Sequence, residues 1–258
     1  MNAIVVTLAV VVAIFLIAPM AVIVPMSFSS AISFEFPPPS YWIGYYKEYF
    51  SSQPWLDATA NSFVIASASM LLTLALALPA AFAYARYRFF GKGAFNLLMM
   101  LPVIIPGVIS ALGYYSLFSL AHLVGTRTGM IIAHTALCVP VAFLVIAAAF
   151  KGFDRNLERA AMSAGAGPLR TLFFVTLPVL RPGILIGGLF AFLHSFNETV
   201  VAIFIAGRDA STLPKKMFES IRLESDPVIA VVSTLLTGAV LIGVLIAFFF
   251  RQRAAHAT

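Results

Sequence analysis

The chain has 258 residues, of which 61% are hydrophobic and 10% charged. Soluble domains carry about 25% charged residues, and a soluble fold of this length cannot hide so much apolar surface, whereas lipid can. The net charge of +6 would suit a nucleic-acid partner, but the basic residues are scattered between apolar runs, so no nucleic acid is expected. The single cysteine, Cys138, lies inside an apolar run, excludes an internal disulfide and has no metal pattern around it.

A spanning helix needs about 20 apolar residues. Runs that meet this lie at 4–26, 60–84, 95–121, 129–150, 183–206 and 228–250. Most are apolar all round, not on one stripe. The expected fold is therefore all-α and polytopic: six transmembrane helices in a single domain over 1–258. The first run has no Lys or Arg ahead of it and is too long for the apolar centre of a leader, so it is expected to remain as the first helix. The external segment 27–58 holds Pro37-Pro38-Pro39, then Tyr41, Trp42, Tyr45, Tyr46, Tyr49, Phe50 and Trp55. Trp and Tyr favour the membrane interface, so this segment is either an interfacial anchor or a docking surface for an external protein. Pro102 and Pro106 in the third run, and Pro140 in the fourth, are expected to kink their helices; the other possibility is a bend that opens a pathway.

Charge sets the orientation. On one side lie Arg86, Arg88, Lys92, Lys151, Arg155, Arg159, Arg170, Arg181, Arg251 and Arg253, against the acids Asp154 and Glu158. On the other lie Lys47, Arg127, Arg208, Lys215, Lys216 and Arg222, against Glu35, Glu48, Asp57, Asp209, Glu219, Glu224 and Asp226. The first side is expected to be cytoplasmic and to hold both termini.

Familiar catalytic patterns are missing. There is no phosphate-cradling GxxxxGK[ST] loop, no HExxH helix and no GxSxG elbow. Gly91-Lys92-Gly93 reads as a short connection, and His122, His134 and His194 stand on separate segments. No enzyme activity, metal or cofactor is expected.

The segment 151–182 between the fourth and fifth runs is more informative. Leu157 to Ala164 favours a short helix, with Ala160 and Ala161 small enough for close packing. Gly165 and Gly167 break it, and Pro168 suits the first turn of a second helix, expected over 169–176 with Leu172, Phe173, Val175 and Thr176 on its apolar face. Leu177-Pro178 is expected to stop that helix, and Pro182-Gly183 to make a further break. Such a helix-turn-helix either docks on a partner or lies on lipid headgroups.

Ala160-Ala161, Gly165 after three residues, and Val175-x-Leu177-Pro178 nine residues later resemble the EAA loop (EAA-x3-G-x9-I-x-L-P) of type I ABC importer permeases. Arg159 stands where the pattern has Glu, with Glu158 just before it. Asn61-Ser62, the external segment, Ser195-Phe196-Asn197-Glu198-Thr199, Thr212-Leu213-Pro214 and Ser233-Thr234-Leu235-Leu236 look most like the spermidine/putrescine subgroup. The resemblance implies the type I permease fold in a bacterial inner membrane. It makes the loop, through Glu158, Arg159, Ala160, Ala161, Gly165, Leu177 and Pro178, the joint to a cytoplasmic ABC ATPase dimer that uses the ATP. It also implies a second, distinct permease subunit and an external substrate-binding protein.

Glu198 is the only acid within the spans as placed. An intramembrane charge costs roughly 2.5–3.5 kcal/mol by insertion scales, so it should face a cavity or a partner. His194, Asn197 and Glu198, spaced i, i+3 and i+4, would share one helical face. They are the candidate pathway residues for a polyamine cation; the other reading is an interhelical hydrogen bond. Tyr114 and Tyr115 are weaker candidates, expected to pack. Among functions, an ATP-driven importer permease for polyamines leads. A permease for another small solute and an ion-coupled secondary transporter follow, the latter disfavoured because only Glu198 can serve as a coupling acid.

Overall fold

The computed structural model describes residues 3–32, 34–223 and 226–255, so Glu224 of the charge pattern lies outside the described residues. In chain order the helices are α1 (Ala3–Met26), α2 (Gly44–Ser51), α3 (Gln53–Arg86), α4 (Lys92–Ile104), α5 (Gly107–Leu120), α6 (Arg127–Lys151), α7 (Asn156–Ser163), α8 (Pro168–Thr171), α9 (Leu177–Asn197), α10 (Val200–Ile205), α11 (Leu213–Leu223) and α12 (Val228–Ala255). A π turn over Leu172–Thr176 joins α8 to α9. Among the described residues five helices are long and apolar enough to cross a membrane, and the pair α4–α5 makes six if it counts as one span.

That pair corrects one expectation. The third apolar run is more than kinked: it is broken into two helices bent by 98°. Pro106 disfavours helical geometry in the residue before it, and Ile105 accordingly takes φ −76°, ψ 129°. Pro140, by contrast, stays inside the unbroken α6.

The chain divides into two compact units, residues 57–215 and residues 1–56 with 216–258. In the second of these, α12 packs on α1 and on α2. The exposed surface of α1 is apolar side chain apart from Thr7, as lipid contact requires. The aromatic segment folds on itself. Tyr45, Tyr49 and Trp55 are buried, the Tyr45 hydroxyl donates to the Ala31 carbonyl at 2.8 Å, and Ser27 and Tyr46 share a hydrogen bond of 2.9 Å. Tyr41, Trp42 and Phe50 remain exposed. The segment is thus part packed core and part outward surface.

In the unit 57–215, α6 is the central helix. One core cluster gathers Ile65, Phe118, Met130 and Val201; another gathers Ala77, Phe143, Ile146, Phe150 and Leu180. Hydroxyl groups add polar contacts between helices: Ser69 donates to the Ile131 carbonyl at 3.2 Å. The α6–α9 contact is close because α9 brings glycines to it. A Cβ on Gly183 would stand 2.5 Å from the Cβ of Ala149, and one on Gly187 3.0 Å from Ile146. Small residues at such positions let membrane helices approach closely.

Gly183→Ala is therefore expected to cost about 1–3 kcal/mol, the usual range for overpacking, because the Ala149 methyl is fixed to backbone and cannot swing away. Gly243 of α12 has nothing within 4 Å of such a Cβ, so Gly243→Ala should be neutral or slightly stabilising. Thermal unfolding of both variants in detergent checks the contrast.

Candidate functional site

Two groups of candidate residues stand at the two ends of one helical rod. The stretch from Pro168 to Asn197 forms a continuous 30-residue helix, so the expected stop at Leu177-Pro178 and break at Pro182-Gly183 do not occur. The reason lies in the π turn. Proline at 178 lacks the N–H that an α-helix would direct at the Phe174 carbonyl. The chain accommodates this by widening the preceding turn, so that the Leu177 N–H reaches back to the Leu172 carbonyl. Pro182 is carried within α9, and Gly183 serves close packing instead of a break.

Before this rod, the loop follows the expected turn chemistry. Gly165 has φ +90°. Its N–H donates to the Met162 carbonyl and that of Ala166 to the Ala161 carbonyl, each at 3.0 Å, which is the Schellman ending of α7. Gly167 is extended and Pro168 opens α8. The inward face is the expected one in part: Thr176 is buried and Leu172 and Val175 are half-buried, but Phe173 points outward and Thr171 is buried in addition.

Among the loop residues, Glu158 turns inward and Arg159 outward. The Arg86 Nη2 donates to Glu158 Oε1 at 2.6 Å, with the two side chains 9% and 18% exposed. The Thr176 hydroxyl donates to the same oxygen at 2.6 Å. The Arg86 guanidinium also lies 5.1 Å from the Phe153 ring centre and 5.9 Å from that of Phe150. Arg86 and Thr176 were not singled out from the sequence as site residues. The available signals were an arginine closing a long apolar run and a threonine before Leu-Pro. Ala160 is exposed and Ala161 half-buried on α7.

At the other end of the rod, the expected helical face is altered. Helix α9 ends at Asn197, so the fifth span is not one helix over 183–206, and Glu198 is its C-cap with φ −71°, ψ 116°. Polar side chains compete with the backbone here. The Asn197 amide donates to the Leu193 carbonyl at 2.9 Å, and Glu198 Oε1 accepts the Val201 N–H at 2.8 Å, capping α10. His194, Asn197 and Glu198 still come together: with Val141, Phe190 and Leu193 they line an open cavity of about 340 Å³. Behind it, His134 Nδ1 and the Ser195 hydroxyl form a buried hydrogen bond of 2.8 Å between α6 and α9. The sequence placed His134 on a separate segment from this group. Tyr114 packs on the Phe118 ring, as expected, while Tyr115 is exposed.

An all-helical membrane protein with a polar-edged cavity and a folded loop at the foot of a 30-residue rod has the build of a transport permease. Relatives narrow the class. The chain is 35% identical over 224 residues, 83% of its length and 80% of the relative's, to the putrescine transport system permease protein PotI of Escherichia coli (strain K12). It is 26% identical over 199 residues, 76% of its length and 77% of the relative's, to the spermidine/putrescine transport system permease protein PotC of Haemophilus influenzae. Its fold matches a chain of a bacterial ABC transporter involved in import of the acidic polysaccharide alginate, with a TM-score of 0.75, 17% identity and 95% of each chain covered. No family model matches the sequence. The chain belongs to the transport-system permease family and is a transmembrane permease subunit of an ATP-driven ABC importer.

The left-handed turn at Gly165 makes a graded prediction. Open space surrounds it, so only backbone strain counts. Gly165→Ala should cost about 1–2 kcal/mol, and Gly165→Asn less, because Asn tolerates this region. The order of thermal midpoints, glycine above asparagine above alanine, checks it.

Proposed function

We propose that this permease carries a polyamine or a related small cationic solute, with His194, Asn197 and Glu198 lining part of the path. The observation that carries this reading is the half-buried Glu198 carboxylate at a cavity whose other walls are mostly apolar. An alkyl diamine needs that combination: a negative group for the ammonium and apolar surface for the methylenes. The names of the relatives for putrescine and spermidine support the same class.

The driving force comes from a cytoplasmic ABC ATPase dimer docked on the loop 151–182, where Leu157, Arg159, Met162 and Leu169 are exposed. ATP is used by that partner, and this chain binds no cofactor and catalyses no reaction. A second, distinct permease subunit and an external substrate-binding protein complete the transporter, in a bacterial inner membrane. Both termini are cytoplasmic, a reading supported by the ten basic residues on the loop side of the charge pattern. Arg159 gives the docking face a positive charge where the pattern of the resembled loop has a negative one.

Glu198→Gln is expected to raise the KM for putrescine uptake about tenfold, the loss of one hydrogen bond to a charged group, with assembly intact. An unchanged KM and rate would remove the cation role. In vesicles holding the whole transporter, uptake should collapse when ATP is withdrawn and survive when ion gradients are dissipated. The opposite pattern would replace the ATP-driven reading with ion coupling.

A further inference from the structure

The Arg86–Glu158–Thr176 cluster is separate from the cavity at His194, Asn197 and Glu198; it lines a smaller cavity of about 210 Å³ that Met162 of the docking face also borders, and its geometry asks for a role of its own. Glu158 is on α7, next in sequence to the exposed Arg159. One carboxylate oxygen receives two donors, Arg86 from the last turn of α3 and Thr176 from the π turn. The guanidinium is also bracketed by the Phe150 and Phe153 rings. A single atom therefore ties the loop helix to two other segments, the end of α3 and the π turn.

We propose that Glu158 is a positioning residue for transport: it transmits displacement of α7 to α3 through Arg86 and to α9 through Thr176. This rests on the reading that the ATPase docks on the loop. Three observations support it. The contact is charge-assisted and largely shielded from water, conditions that make a hydrogen bond strong. It cannot slip to another partner cheaply, because Arg86 is 9% exposed and its Nε already lacks a partner among the described residues; loss of Glu158 would leave a buried charge unpaired. Finally, Thr176 ends the π turn, the irregular segment of a rod that runs unbroken from there to Asn197 at the cavity. Single π turns inside α-helices are frequent at functional sites. A pull on Thr176 thus acts where the rod is irregular and is delivered where the cavity opens.

The test uses the complete transporter in proteoliposomes, with Leu193→Cys as a reporter at the cavity; Cys138 is fully buried. ATPase co-purification, ATP hydrolysis and the rate of maleimide labelling are measured with and without ATP plus vanadate. Two variants probe the cluster: Glu158→Gln, which removes the charge, and Thr176→Val, which removes the hydroxyl and keeps the shape. Thr176→Val, buried away from the exposed docking residues, should keep co-purification and hydrolysis near the unsubstituted values; in Glu158→Gln the same two readings report whether assembly is retained. The ATP-driven change in labelling should fall about tenfold, as for loss of one hydrogen bond to a charged group, and Thr176→Ser should restore it.

Labelling that keeps its full ATP response in both variants would overturn the proposal. So would joint loss of assembly and hydrolysis in both, because Glu158 would then be a structural brace. If the reporter alone shows no ATP response, or if Arg159→Glu with Leu169→Asp leaves ATPase co-purification unchanged, the docking reading itself fails, and this inference with it.

Discussion

Hydrocarbon contains no water, so a backbone N–H or C=O that leaves a helix inside it must find a partner in the protein. The interruptions around α10 in the unit 57–215 are organised by that demand. Where α9 stops, the Glu198 carboxylate takes up the Val201 N–H. Where α10 stops, the Ile205 carbonyl accepts the Gly125 N–H at 2.8 Å. The following connection is held by Asn61, whose amide donates to the carbonyls of Asp209 and Ser211 at 3.0 Å, and by Ser62, whose hydroxyl accepts the Leu213 N–H at 2.7 Å. Gly125 and Gly207 come so close that a Cβ on Gly207 would lie 2.8 Å from the Gly125 Cα.

The same demand explains why the candidate pathway residues stand at a break. A carboxylate is costly within a span. At a helix junction it has an N–H to accept, and the open turn gives its surroundings room for a cavity. Glu198 thus caps α10 and borders the cavity at once, and the two roles use the same charge.

The rod from Pro168 to Asn197 links this cavity to the loop. Its glycine face lies on α6, and the His134–Ser195 hydrogen bond ties the two helices near the cavity end. The loop end is tied differently, by the Glu158 carboxylate shared between Arg86 and Thr176. The two ends of one helix are therefore held by polar contacts of different kinds, an imidazole–hydroxyl hydrogen bond and an ion pair, with close apolar packing between them.

Read alone, the sequence determined what depends on neighbours along the chain. Continuous apolar runs specify helices in lipid, Gly165 and Gly167 end α7, Pro168 starts α8, and the Ala-Ala, Gly and Leu-Pro spacing identifies the loop. These follow from local hydropathy and backbone preference, which act over a few residues. Only the tertiary structure decided the 98° bend at Ile105, because Pro106 permits both a kink and a full break and packing chooses between them. It also decided that Pro178 and Pro182 stay within a helix, since a π turn can absorb a missing donor that would otherwise end it. Glu158 shows the limit most clearly. Its partners lie 72 residues before it and 18 after it. Nothing in its neighbourhood names them, because an ion pair is selected by which groups the packed helices bring within reach.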